Sequence, residues 1–171
     1  MSITYLKGDA TRPQEPGPKL LVHICNTVGR WGAGFVLSIS KRWSEPEIQY
    51  RNWFRWNYGF RGNYDDKMVT TSGSFALGEI QIVKVSDDLA VVNMIAQESV
   101  CNFGASLIPP IRYEALRTCL GQVAAHAKYS NASVHMPKIG TGLAGGDWAV
   151  IEPIIQEQLR DIPVFVYEYG R

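Results

Sequence analysis

The chain is short of net charge, of paired cysteines and of long apolar runs, and each shortage removes a class of protein. Its 171 residues carry 17 Lys and Arg against 16 Asp and Glu, a formal net charge of +1. That balance lacks the electrostatic footprint of a dedicated DNA or RNA binder, so nucleic acid is not an expected partner. No apolar run approaches the roughly 18–20 residues that span a bilayer, so no membrane partner is expected either. The opening residues, Met1 to Asp9, show no charged-then-apolar leader pattern. Cys25, Cys101 and Cys119 are far apart, form no C-x-x-C pair and have no histidine at metal-ligand spacing. A disulfide scaffold and a structural zinc site are therefore poor readings, no metal or cofactor is expected, and a reduced cytoplasmic compartment fits. Repeats, low-complexity tracts and long linkers are absent, so residues 1–171 read as one domain. Hydrophobic residues make up 46% and charged residues 19%, enough apolar material for a proper core.

Patterning along the chain gives an alternating α/β order. Ile3–Leu6 reads as a strand and Arg12–Pro18, with three prolines and a glycine, as a loop. Leu20–Cys25 is a continuous apolar run with one histidine, the mark of a strand covered on both faces. Phe35–Trp43 has helical spacing, and Ser44-Glu45-Pro46-Glu47 looks like a capping box opening a second helix with Tyr50, Trp53 and Phe54 on one side. Arg61–Gly73 reads as a polar surface excursion. Gly78–Val85 and Ala90–Ile95 read as strands whose short turn, Ser86-Asp87-Asp88, forces an antiparallel pair. Glu98–Pro110 is a loop, followed by a helix to about Lys128 that buries Leu116, Leu120, Val123, Ala124 and Ala127. Ser133–Pro137 is a strand, Trp148–Leu159 a helix and Pro163–Tyr169 the last strand. Pro153 either opens the regular part of that helix or follows an irregular first turn. The order predicts an α/β sandwich around a mixed sheet.

Two loops share one design: a strand ends, glycines follow and a helix begins. They are Gly29-Arg30-Trp31-Gly32-Ala33-Gly34 and Gly140-Thr141-Gly142-Leu143-Ala144-Gly145-Gly146. Glycine lets backbone N–H groups approach a phosphate, and the helix N-terminus behind adds partial positive charge. Two such loops side by side would grip a diphosphate without lysine. No G-x-x-x-x-G-K-[ST] occurs, which removes a P-loop. Gly140-x-Gly142-x-x-Gly145 matches the dinucleotide fingerprint in spelling but closes the chain instead of opening a doubly wound half.

At these residues the sequence resembles a macrodomain, the ADP-ribose-binding three-layer α/β/α fold. Four segments carry the likeness: Tyr5 to Ala10, Leu21 to Asn26 with Trp31 to Gly34, Met136 to Leu143, and Val164 to Tyr167. The resemblance implies a ligand site of Asp9, Ala10, Asn26, Trp31, Gly32, Ala33, Gly34, Gly140, Thr141, Gly142, Leu143, Ala144 and Tyr167. In it Asp9 would meet the adenine amine, Asn26 the distal ribose, the second glycine loop the diphosphate, and Tyr167 the adenine ring. Trp-Gly-Ala-Gly and Met-Pro-Lys-Ile-Gly-Thr-Gly-Leu are similar to two subgroups. One removes terminal ADP-ribose from acidic protein side chains; the other comprises phosphatases of ADP-ribose 1″-phosphate. Members that only bind ADP-ribose also exist. The expected partner is ADP-ribose or an ADP-ribosylated protein.

Two departures bear on mechanism. Some hydrolases of the first subgroup use a lysine where this chain has Ala96-Gln97-Glu98, and an aspartate where it has Ala144-Gly145-Gly146. A lysine–aspartate mechanism does not transfer, Asp147 reading as a helix N-cap. What remains is attack by water, with Asn26 and His23 as the catalytic candidates. His23 is either a hydrogen-bonded core histidine or an acid–base group. Trp31 is either a lid over the ribose or a packing anchor, whereas His126 and His135 offer no constellation and Arg112 and Arg117 read as solvated.

Overall fold

The computed structural model describes residues 3–59, 68–100 and 108–169. Cys101 and parts of the two long loops lie outside them. Among the described residues the order is β1 (Thr4–Lys7), β2 (Lys19–Asn26), α1 (Phe35–Ser40), α2 (Glu45–Trp56), β3 (Val69–Thr71), β4 (Ile80–Lys84), β5 (Leu89–Gln97), α3 (Tyr113–Ser130), β6 (Ser133–Pro137), α4 (Trp148–Gln158) and β7 (Val164–Glu168). The strands form one sheet in the order β1-β7-β6-β2-β5-β4-β3. β1, β7, β6, β2 and β5 run parallel, β4 runs against β5, and β3 against β4, so the sheet is mixed as expected.

Period-2 alternation sends successive side chains to opposite faces. Val22, Val92, Met94, Val134, Met136 and Val166 pack with the apolar stripes of α3 and α4. Leu21, Cys25, Leu89 and Val91 face the other way, against Ile39 of α1 and Tyr50 of α2. Both faces of β2 are therefore covered, which is why its sequence reads as an unbroken apolar run. α3 buries Leu116, Leu120, Val123, Ala124 and Ala127, as its periodicity predicts. It ends with Asn131 at φ 53°, where Ala132 N–H donates to Ala127 O at 2.9 Å, a Schellman closure.

Three local expectations are corrected. Ser44 does not cap α2: its backbone is helical (φ −84°, ψ −25°), because the chain turns almost continuously from α1, and its side chain makes no cap bond. Glu47 instead accepts from Ser40 Oγ and pairs with Arg51 at 3.0 Å. Pro153 neither opens the helix nor follows an irregular turn. α4 is helical from Trp148, held by the Asp147 cap and by burial of Ile151, Ile154 and Ile155, with Pro153 on its exposed side. Within the supposed surface excursion, Val69–Thr71 forms β3, an edge strand with only Val69 buried.

Candidate functional site

The parallel strands bring their C-terminal ends to one edge of the sheet. β2 and β6 are neighbours there, but β2 continues to α1 on one face while β6 continues to α4 on the other. Adjacent strands whose connections leave to opposite faces open a crevice between them, the place where open α/β sheets hold ligands. The two glycine loops form its walls. A cavity of about 280 Å³ is lined by His23, Ala33, Gly34 and Gln97 on one side and by residues 137–144 on the other. A second chamber of about 330 Å³, bounded by Cys25, Asn26, Arg30 and Gly32, shares Ala33, Val36, Gln97 and Leu143 with the first.

Backbone groups dominate these walls. Among the described residues, the N–H groups of Gly32, Ala33, Gly34, Thr141, Gly142, Leu143 and Ala144 donate to no protein acceptor. Gly34 enters α1 at φ 84°, a left-handed conformation that suits glycine. A Cβ on Gly140 would stand 2.6 Å from Ile111, so the packing beneath the second loop requires glycine there. A Cβ on Gly32 or Gly142 would meet nothing within 4 Å, and neither has a positive φ. Lys138, the lysine of the cleft, is committed to Glu168 at 2.9 Å. The helix behind the second loop is already capped: Asp147 Oδ1 accepts from Ala149 N–H at 2.9 Å, as expected of an N-cap. That carboxylate offsets the positive end of α4, a correction to the sequence reading, and leaves the loop amides as the donors.

The polar side chains are bound into the fold. Asn26 Oδ1 accepts from Val28 N–H, Arg30 N–H and Tyr50 O–H, at 3.0, 3.1 and 2.9 Å, and Nδ2 donates to Arg30 O at 2.8 Å. One Nδ2 hydrogen remains for a ligand, so Asn26 shapes the first loop before it touches anything else. His23, 2% exposed, lines the cleft and is also hydrogen-bonded: Nε2 lies 2.5 Å from Asn93 Oδ1. Burial outweighs that bond and lowers its pKa to about 4. Trp31 is a packing anchor and not a lid. Its ring is buried between His23 and Tyr50, and Nε1 donates to Ser40 Oγ at 2.8 Å.

At the far end of the cleft edge, Asp9 Oδ1 accepts from Thr11 N–H and Oγ1, while Oδ2 stands 3.8 Å from Arg12. Ala10 and Tyr167 are buried. The Tyr167 hydroxyl meets His135 Nδ1 at 2.9 Å, so its ring belongs to the core, and the exposed aromatic just after β7 is Tyr169. His135, expected to stand outside any constellation, also meets Ser133 Oγ and stacks on Phe165 at 4.9 Å. Arg112 is not simply solvated either: it donates to the carbonyls of Pro109, Pro110 and Ile111. Arg117 pairs with Glu114 and Glu157. Sequence reasoning missed Asn93 and Gln81, whose partners lie on other strands.

Fold and cleft together define an α/β/α domain with a backbone-lined crevice at a topological switch point. No family model matches the chain. It is 42% identical to a macrodomain protein of Streptomyces coelicolor, covering 99% of this chain and 100% of that one with a TM-score of 0.79. It is 29% identical over 174 residues to the mouse (Mus musculus) Chromodomain-helicase-DNA-binding protein 1-like, covering 99% of this chain. It spans 18% of that relative's length. A third relative, an ADP-ribose 1″-phosphate phosphatase of Lodderomyces elongisporus, is 25% identical over 174 residues and 98% of each chain. The chain belongs to the macrodomain family.

Proposed function

We propose that the cleft binds ADP-ribose and hydrolyses terminal ADP-ribose from an acidic protein side chain. The observation that carries this reading is the pair of facing loops whose amides, at residues 32–34 and 141–144, have no protein acceptor. A diphosphate laid between them would satisfy those donors without a lysine. Asp9 would take the adenine amine at one end, and the chamber beside Asn26 would hold the distal ribose. Bonds at the anomeric carbon break through a cation-like transition state, so the site chiefly has to orient the sugar and hold a water. A phosphate oxygen of the ligand orders that water, since Ala96-Gln97-Glu98 at the end of β5 offer no lysine where some hydrolases of the resembled subgroup carry their nucleophile.

A second reading, phosphate release from ADP-ribose 1″-phosphate, draws on His23 lining the cleft and on the likeness to the named phosphatase. The deciding experiment offers both substrates: a protein carrying labelled ADP-ribose on glutamate, and ADP-ribose 1″-phosphate. Gly142→Val, whose added atoms enter the cleft, and Asn26→Ala run beside the wild type. Release of label by the wild type alone supports the hydrolase. Phosphate release without label release moves the assignment to the phosphatase. Binding with neither product leaves a reader of ADP-ribose.

A further inference from the structure

Strand register aligns three polar side chains across the sheet on the face beneath α1 and α2. His23 of β2 stands opposite Asn93 of β5, and Asn93 opposite Gln81 of β4. Their exposures are 2%, 0% and 0%, and a polar side chain so deep is costly unless it is hydrogen-bonded. Each is. Asn93 Nδ2 donates to Gln81 Oε1 at 3.0 Å and to Pro46 O at 3.1 Å, and Gln81 Nε2 donates to Gln49 O at 2.9 Å.

These bonds fix a direction. An amide nitrogen has two hydrogens, and both of Asn93's are used on acceptors. Inverting the amide would set its oxygen against those two carbonyl oxygens. The atom 2.5 Å from His23 Nε2 is therefore an acceptor, and Nε2 has to carry the proton. We infer that Asn93 is a positioning residue: its side-chain oxygen holds His23 as the Nε2–H tautomer and leaves Nδ1 as the acceptor of a ring that lines the cleft. As a functional statement this rests on the reading of the cleft as a catalytic site.

The surroundings favour the neutral ring. The titratable groups around it are the Cys25 thiol on its own strand, 3.8 Å from Nε2 and 4.0 Å from Nδ1, the Tyr50 phenol of α2 behind Trp31, and, on β6, His135, which stands opposite Leu21. Burial keeps the thiol and the phenol protonated. Trp31 and Phe35 supply only uncharged rings. At neutral pH Nδ1 can then only accept, from the Cys25 thiol beside it or from a hydroxyl brought into the cleft, and has no proton to give.

Long-range proton–nitrogen NMR of the full chain reads the ring directly. The wild type should show His23 protonated on Nε2. Asn93→Leu should give a mixture of tautomers and slow ADP-ribose release by roughly tenfold to a hundredfold. Asn93→Asp should raise the His23 titration by about one unit or more and move the acid limb of the release profile with it. Gln81→Met, which frees Asn93 to turn, covers the case in which Asn93→Leu does not fold and should shift the tautomer partway. A wild-type ring protonated on Nδ1, or a tautomer unmoved in the variants, overturns the inference. If the wild type releases no ADP-ribose, the proposed function falls, and the nitrogen signals still decide the role of Asn93.

Discussion

Gly32 and Gly142 separate what the loops need for folding from what they hold open for a ligand. Gly140 is hemmed in by Ile111, Ile151 and Ile24, whereas these two face empty space with ordinary backbone angles. Gly142→Val should therefore leave the melting temperature unchanged while weakening ADP-ribose binding by roughly tenfold or more in calorimetry. Gly140→Ala should do the opposite first, costing about 1–3 kcal/mol through overpacking, visible in denaturant unfolding. His23 and His135 make a prediction in pH. Both have pKa values lowered from 6.5 to about 4, chiefly by burial, so the unfolded chain binds protons that the folded chain refuses. Stability should be full above 6.5 and fall as the pH drops from there through about 4. His23→Gln should flatten that fall in urea titrations. The glycine loops could be read from the sequence because close backbone approach has a residue signature. Asn93 and Gln81 could not, because a polar residue inside an apolar strand gains meaning only from register with strands far away in sequence.

Among the elements, α2 acts as a strut for the first loop. Tyr50 donates to Asn26 at its carbonyl and side-chain oxygens, and Arg51 donates to Gly29 O. Tyr50→Phe should leave a buried acceptor short of its donor, at a cost of about 1–3 kcal/mol, and weaken ligand binding in proportion as residues 26–30 loosen. α4 is held differently, by Asp147. Asp147→Ala should lose about 1 kcal/mol of stability in thermal unfolding and leave ADP-ribose affinity undiminished, since it removes a negative charge beside the second loop. Helix periodicity and the two-residue alternation placed nearly every element in advance. The exceptions have local causes: Ser44 spells a cap but sits in helical backbone, and β3 is too short and polar to stand out.

For the whole molecule, architecture and site are coupled through the order of strands. The helical layers diverge between β2 and β6, so the crevice is a property of topology, and the loops decide what it holds. β1 adds a constraint of another kind. It sits at the sheet edge and pairs with β7 alone, Thr4 opposite Phe165 and Lys7 opposite Glu168. During synthesis β1 is made before β7 and therefore waits for it, and Asp9, which follows β1, takes its place only when β7 has docked. A nascent chain stalled before β7 would therefore present both glycine loops while β1 and Asp9 are still unplaced.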